Sequence, residues 1–471
     1  MFYGRTAELD TLEKRYRSHS FECVIVYGRR RVGKTTLIDR FCTNKPAIFF
    51  SAIDGTAQDN LDALSGEIYR YTRPDASEAP VFGDIQSAFG EITELAKKEQ
   101  LVVVIDEYPY LAKAIPSVSS RLQHMIDHAW SSLPLMLILC GSSMSFMTEQ
   151  VLGYESPLYG RRTAQIKPEP FTYLETRAFT ASLSLSDSAL VYGITGGTPH
   201  YIRKLYQSGN LYRSILDNLF ERSAYLYEEP ENLLKQELRE PAVYSAILGA
   251  VAHGASRLNE IATKTGITTG VCANYLNHLI TLDIVKKETP ITEKEGKKTL
   301  YRIQDQFFRF WYRFVRKNSS AIGAGRMNAL FDTMVKGFLP DYMGQTFEVM
   351  CRDFLLRYDE HPQCMLSDAG RWWGTDTVHR RQVELDIVGT TDKPDVFLLA
   401  SCKYRNGKTG IEVLEQLKAA GRAFGKGSQY HYCVFSKSGF TAELKKTAEE
   451  EGVRLVDLNG LYLNSAQNTI S

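Results

Sequence analysis

The sequence predicts a multidomain α/β protein, and three stretches carry the prediction. VIVYGRRRVGKTTL (24–37) is an apolar strand, a glycine-bounded loop and the opening of a helix. LVVVIDEYPY (101–110) is a second apolar strand that ends in two acids. QVELDIVG (382–389) and VFLLASCKYRN (396–406) are two strands in succession, followed by a helix. The first two stretches place a parallel sheet around a phosphate-binding loop in residues 1–168. A helical lid is expected over 169–240, a winged helix-turn-helix with its wing and an aromatic connector over 241–318, and a second α/β domain over 319–471.

A chain of 471 residues exceeds what one hydrophobic core serves, so several domains are expected. Its 44% apolar and 24% charged residues exclude a disordered chain. No run nears the ~20 apolar residues that span a bilayer, and MFYGRTAELD carries acids and an arginine where a leader peptide would be basic and then apolar. The expectation is a cytoplasmic protein with no membrane partner. The eight cysteines are scattered without CxxC or Cys/His clusters, which points to reduced core residues. His124 and His128 share a helix face, but no third metal ligand accompanies them. A net charge of +1 gives no global pull toward nucleic acid, so any such pull must be local.

The first loop fits GxxxxGK[ST]. Cradling a phosphate needs inward-turned N–H groups, hence glycines at the bends, a lysine on the β/γ oxygens, a hydroxyl for Mg²⁺ and a helix N-terminus under the anion. Gly28, Arg29, Arg30, Arg31, Val32, Gly33, Lys34, Thr35 and Thr36 form that loop. Leu101 to Ile105 reads as a buried parallel strand delivering Asp106 and Glu107 to the sheet edge where ligands collect. Asp106 is expected to hold Mg²⁺ with Thr35, directly or through water, and Glu107 to orient the attacking water. A further strand (Leu135 to Cys140) brings Ser142 or Ser143 to sense the γ-phosphate. Arg161 and Arg162, at the mouth of a strand over Thr163 to Lys167, could reach a neighbouring subunit's γ-phosphate as an arginine finger. Equally, they could be surface salt-bridge residues.

FYGRTAEL, YGRRRVGKTTL, VVVIDEYPYL, CGSSMSFM, SPLYGRRT and GGTPHYI together resemble the archaeal-type ATPases of the AAA+ superfamily, close to the signal-transducing STAND ATPases. The resemblance implies a five-stranded parallel core followed by a helical lid. It places Phe2, Tyr3 and Gly4 near an adenine and makes Gly197 and Pro199 a lid motif touching nucleotide. Gly-Gly and Thr-Pro are also turn formers, so a tight turn is the alternative reading of those residues.

Residues 241–303 have a helix, helix, helix, wing rhythm. VYSAILGAVAHG and RLNEIATKTG precede a third helix that puts Val271, Tyr275, Leu276 and Leu279 on one face, and EKEGKK tips a hairpin. Between 241 and 316 there are eleven Lys/Arg against six Asp/Glu, so phosphate contact is electrostatically favoured there, chiefly through Lys294, Lys297 and Lys298 on the wing. The outward face of the third helix offers Asn274, Asn277 and His278 and no Arg or Lys, which leaves base reading unsupported. The aromatics of IQDQFFRFWYRFV have helical spacing and are expected to pack between domains.

In the last third, GQTFEVMCRDFLL is a helix carrying Glu348, and residues two apart on a strand share a face, so Glu384 pairs with Asp386 and Ser401 with Lys403. The order resembles the PD-(D/E)xK nuclease fold, a restriction-endonuclease-like domain, and specifically the C-terminal domain of unknown function often fused to such ATPases. By that resemblance Glu348 is the helical acid, Asp386 the strand-end aspartate and Lys403 the closing lysine. Ser401 stands where an acid belongs, and a hydroxyl cannot supply the charge that holds a divalent cation. Glu384, or Glu412, Glu415 or Gln416 on the next helix, could substitute.

The whole reads as an ATPase using Mg²⁺ with ATP, whose nucleotide state sets the position of lid, winged helix and tail. Three outputs compete: a switch acting on DNA, an ATP-regulated Mg²⁺ nuclease, and a STAND-like switch that binds a protein partner or a second copy of itself.

Overall fold

The computed structural model describes residues 2–75, 80–296, 298–359, 364–376 and 379–463. Contacts divide the chain into two compact units, Met1–Pro170 and Phe171–Ser471.

The first unit is built on a five-stranded, wholly parallel sheet. Its strands are β1 (Glu22–Tyr27), β2 (Ala47–Ser51), β3 (Leu101–Asp106), β4 (Leu135–Gly141) and β5 (Ala164–Ile166), in spatial order β2-β3-β4-β1-β5. Every residue of β3 and β4 is buried, as near-continuous apolar runs covered on both faces require. Alternation sorts them: Cys23, Ile25, Val103, Ile105, Leu137 and Leu139 enter one core, and Val24, Val26, Val102, Val104, Ile138 and Cys140 the other. The helix Lys34–Cys42 docks on the second face through Leu37, Ile38 and Phe41. β5 is shorter than the expected 163–167, and Thr163 joins the edge through its N–H to the Cys23 carbonyl (2.8 Å) and its Oγ1, which accepts from the Cys23 N–H (3.1 Å).

The second unit is organised by one continuous core running from Tyr173 to Tyr462. The segments 169–240, 241–318 and 319–471 therefore share an interior, and the aromatic connector is the reason. Phe307, Phe308, Phe310, Trp311, Tyr312 and Phe314 are all buried. The Phe307 ring lies 4.3 Å from that of Tyr201, Trp311 Nε1 donates to the Tyr227 carbonyl (2.6 Å), and the Tyr312 hydroxyl donates to Ser245 Oγ (2.8 Å). An aromatic run of this size buries more surface than one three-helix module can cover.

Three helices, Pro241–Ala252, Leu258–Thr265 and Thr269–Thr281, precede an antiparallel hairpin of β6 (Val285–Glu288) and β7 (Leu300–Ile303). The third helix buries Cys272, Leu276 and Leu279, an i, i+4, i+7 face, so Val271, expected inside, is 45% exposed. Asn274, Asn277 and His278 are exposed, as expected, and His278 is also bonded through Nδ1 to the Tyr244 hydroxyl (2.6 Å).

The C-terminal sheet comprises β8 (Asp368–Asp376), β9 (Arg381–Thr390), β10 (Val396–Lys403), β11 (Gln429–Ser436) and β12 (Arg454–Asp457), neighbours in that order. It is mixed: β8, β9 and β10 pair antiparallel, and β10, β11 and β12 pair parallel through the helices Ile411–Phe424 and Ala442–Glu451. Ile387, Leu398, Ala400, Cys433 and Phe435 face the core shared with the helix Leu339–Asp353. Leu385, Val388, Leu399 and Val434 face the helix Ile411–Phe424. All eight cysteines are free, and among the described residues no helix is long and apolar enough to cross a membrane.

Candidate nucleotide-binding site

The phosphate loop leaves β1 and enters the helix Lys34–Cys42 through two glycines whose backbones need left-handed space, Gly28 (φ 150°) and Gly33 (φ 90°). Lys34 is buried and curls back on the loop, donating from Nζ to the carbonyls of Gly28 (2.8 Å) and Arg29 (3.0 Å). Burial lowers its pKa, against the opposing pull of Cys140, Glu107 and Asp106. A buried ammonium held by neutral carbonyls retains its charge for an anion at the loop, as phosphate binding requires.

At the carboxyl edge of the sheet, Thr35 Oγ1 donates to Asp106 Oδ2 (2.8 Å), and Asp106 Oδ1 accepts from the Glu107 N–H (3.0 Å). Glu107 sits at φ 50°, an uncommon conformation for a side-chain-bearing residue, which turns its carboxylate off the strand axis. Glu107 Oε2 accepts from Ser142 Oγ (2.9 Å). Of the two serines named from sequence, Ser142 thus meets Glu107, while Ser143 precedes the short helix Met144–Phe146. The adjoining Cys140 thiol is pushed far up by burial, then by Asp106. A hydroxyl and a carboxylate, both hard oxygen donors, suit Mg²⁺.

Phe2 packs against the core behind the loop, and Arg30 NH2 reaches the Tyr110 hydroxyl (3.4 Å). Sequence reasoning missed Arg5. It is buried, and its guanidinium donates to the Val32 carbonyl in the loop (2.9 Å) and to Glu8 Oε1 (3.0 Å), fastening the N-terminal segment to the loop. The signal was present in FYGRTAEL, where an arginine follows a glycine ahead of a helix.

Arg161 forms a fork with Asp127 (Nε–Oδ1 2.8 Å, NH2–Oδ2 2.7 Å) and also donates to the carbonyls of Pro157 and Tyr159. Arg162 NH1 donates to the Leu152 carbonyl (3.2 Å). Both are therefore engaged within their own unit, Arg161 in a salt bridge and Arg162 with a backbone carbonyl. In the second unit, Gly196 (φ 61°) ends the helix Leu185–Thr195 and Pro199 starts the helix Pro199–Leu205. Gly197 (φ 74°) has no room for a Cβ, which would lie 1.8 Å from the Phe171 carbonyl oxygen. The GGTP stretch is thus a tight turn imposed by close backbone approach.

A second charged cluster lies on the C-terminal sheet. Asp386 Oδ2 accepts from Ser401 Oγ (3.2 Å) and the Cys402 N–H (2.7 Å), with Lys403 Nζ at 3.6 Å, so these residues do converge. The acids beside them are taken by Arg371 on β8: its guanidinium reaches Glu384 (3.0 Å), Glu348 (3.4 Å) and Glu288 of β6 (3.4 Å). Glu288 is also paired with Arg302 (2.9 Å) and Lys286 (3.0 Å). Burial would raise the Glu288 pKa, but Lys286, Arg302 and Arg371 together bring it down. Glu348 shares Arg371 with two other acids, so burial prevails over Arg371 and Arg302 and raises it to about 7. Among the described residues, no group of three or more His, Cys, Asp or Glu is arranged to hold a metal ion, His124 and His128 included. The expected substitutes on the next helix do not join the cluster. That helix buries Val413, Leu414 and Leu417, leaving Glu412, Glu415 and Gln416 on its exposed side, with Glu412 bonded to Arg405.

The hairpin tip is partly committed as well. The Ile291 N–H donates to the Arg371 carbonyl (2.9 Å), Lys426 donates to Thr292 Oγ1 (2.8 Å), and Lys298 pairs with Glu293 (2.9 Å). Lys294 is exposed, and Lys297 lies outside the described residues.

Residues 2–205 match the model of an ATPase domain found predominantly in Archaea, and residues 311–416 match that of archaeal and bacterial proteins of unknown function. An uncharacterised protein of Methanocaldococcus jannaschii is 31% identical over 413 residues, covering 87% of this chain and 88% of that protein. The chain belongs to its family. An uncharacterised ATP-binding protein of the same organism is 49% identical over 45 residues, 10% of this chain and 76% of that protein. Among solved structures, a Walker-type ATPase of Pyrococcus abyssi superposes with a TM-score of 0.51 at 19% identity, over 66% of this chain and 96% of that one, a likeness of fold. The family's first domain is thus an archaeal-type P-loop ATPase domain on a five-stranded parallel sheet.

Proposed function

We propose that this protein binds ATP with Mg²⁺ at the Gly28–Thr36 loop, hydrolyses it, and uses the nucleotide state as a switch. The observation that carries the reading is the 2.8 Å bond from Thr35 Oγ1 to Asp106 Oδ2, beside Lys34 and Glu107. Thr35 and Asp106 are the residues that would hold Mg²⁺, whose chemistry there is to neutralise charge developing on the phosphate oxygens. Lys34 exchanges its two loop carbonyls for phosphate oxygens. Glu107 accepts a proton from, and orients, the attacking water. Ser142 anchors that carboxylate until nucleotide is in place. We assign Arg161 and Arg162 to holding their own unit together. Phe2 and Tyr3 flank the adenine in this reading, and Pro199 enters only through the turn it starts.

The second unit is the effector in this proposal. We read its three helices and hairpin as a winged helix and its C-terminal sheet as a nuclease-like domain kept for binding. Two observations favour binding over cleavage: Arg371 sits between Glu348 and Glu384, where a metal ion would have to go, and Ser401 supplies no charge beside Asp386. DNA is the favoured partner, through exposed Lys294 with Lys297 and Lys298, because the segment is locally basic. A switch works only if ATP binds the two arrangements with different affinity.

The test is ATP turnover of wild type and Glu107→Gln, with and without duplex DNA. Glu107→Gln is expected to bind ATP but to hydrolyse it at least ~100-fold more slowly, the scale of losing a positioned general base. Hydrolysis by wild type should rise with DNA and that rise should fade with salt. Equal turnover in wild type and Glu107→Gln removes the ATPase mechanism. Turnover indifferent to DNA, with nucleotide-dependent self-association, replaces DNA by a protein partner.

A further inference from the structure

The second unit contains a cavity of about 800 Å³, within the size that small organic ligands fill. One wall comes from the loops that leave β10 and β11, which supply Tyr404, Asn406 and Lys437. These strands are parallel neighbours, and ligands of α/β sheets collect outside the carboxyl ends of such strands. Tyr212, Phe331 and Leu216 also line it, with the Lys336 ammonium near the Tyr212 (5.8 Å) and Phe331 (5.7 Å) rings.

Charge in the cavity is unevenly committed. Lys336 pairs with Asp332 (2.6 Å), Arg213 with Asp217 (2.9 Å), and Asp187 accepts from Ser184 Oγ (2.8 Å). Lys437 differs. Its ammonium donates to Asn406 Oδ1 (2.8 Å) and lies 4.7 Å from the centre of the Tyr404 ring, both neutral partners. Burial lowers its pKa against a weaker pull from Asp187, so an anion brought beside it would be favoured. An ammonium with neutral partners, in a cavity of this volume that aromatic rings also line, selects a ligand that is acidic at one end and flat at the other.

We propose that this cavity binds a planar organic anion, with its acidic group on Lys437 and Asn406 and its ring between Tyr404, Tyr212 and Phe331. The site is separate from the phosphate loop and does not depend on the reading of that loop. It would give the C-terminal sheet a small-molecule input of its own.

The test uses the full chain with the phosphate loop saturated by Mg²⁺–ADP and anilinonaphthalene sulfonate as the probe, followed by fluorescence. Saturable one-site binding is expected. Lys437→Gln and Lys437→Glu should weaken it about tenfold or more, the scale of a charge-assisted hydrogen bond. Lys437→Arg should hold within about threefold and Tyr212→Ala should weaken it, with thermal melts by circular dichroism showing that each variant is folded. Where Lys437→Glu does not fold, Lys437→Gln is the variant read. Probe affinity that is indifferent to the charge at position 437 in a folded variant overturns the proposal, as does binding that never saturates.

Discussion

The phosphate loop and the C-terminal cluster use the same parts, a lysine and carboxylates at strand ends, and differ in what sits between them. At the loop, Asp106 faces a hydroxyl, that of Thr35, and Lys34 rests on neutral carbonyls. Those partners are neutral and can be exchanged for a ligand. On the C-terminal sheet, Lys403 approaches Asp386, and the neighbouring acids surround Arg371. There the charges satisfy one another. Both sites have the side chains that phosphate chemistry uses. What separates them is whether an internal cation already balances the acids, because a divalent ion must displace a partner that costs no entropy to bring in.

The largest way to break this comparison is to remove the two lysines in turn. Lys34→Ala should lower ATP turnover by at least about a hundredfold, the usual loss for one phosphate-stabilising group. Lys403→Ala should leave turnover at the wild-type level. If the two variants behave alike in a steady-state ATPase assay, the sites are not distinguished as argued.

Next comes Arg371→Ala, which strips the cation from acids that are mostly buried. Breaking a buried pair on one side costs about 3–5 kcal/mol, measurable as a lower urea midpoint. Millimolar Mn²⁺ should restore part of that loss in the variant and do nothing for wild type. A metal response in wild type would mean that Arg371 does not occupy the position argued for it.

The loop was legible because its chemistry is local: GRRRVGKTT carries glycines, lysine and hydroxyls within nine residues, and IDE follows an uninterrupted apolar strand. The cluster was legible only in part. Asp386, Ser401 and Lys403 follow from strand order, and they meet. Arg371 did not stand out, since nothing in RWWGTD says that its side chain meets Glu384 and Glu288 on two other strands and Glu348 on a helix. The role of Glu412 and Glu415 was misjudged because the apolar phase of their helix, Val413, Leu414 and Leu417, turns them to solvent. The same limit applied to the aromatic connector: its spacing marked it as buried, but not that it would join three segments in one core.

Glu348 tests the cluster more finely. Its pKa is raised to about 7 by burial, with Arg371 opposing too weakly. A raised carboxyl stabilises the fold when protonated, so its contribution is complete below about pH 4.5, its unfolded value, and is lost as pH climbs through about 7. The span corresponds to at most about 3 kcal/mol. Urea midpoints of wild type should therefore fall between pH 5 and pH 8 more than those of Glu348→Gln, whose amide cannot ionise. Parallel pH profiles would mean that burial does not prevail at Glu348 and that Arg371 holds it ionised.

The smallest effect concerns Arg161. Its fork to Asp127 is on a partly exposed surface, where such pairs contribute below about 1 kcal/mol. Arg161→Ala should therefore shift the melting point by a few degrees at most and leave ATP turnover within about twofold. An arginine that reached a neighbouring subunit's phosphate would behave differently, since losing it costs on the order of a thousandfold in rate with little change in stability. Asp127→Ala separates the two cases without touching the arginine. If Arg161 only holds Asp127, the two substitutions are equivalent. If Asp127 restrains an arginine that must swing out, Asp127→Ala raises turnover while Arg161→Ala abolishes it, and the first unit would then also spend part of its charge holding itself closed.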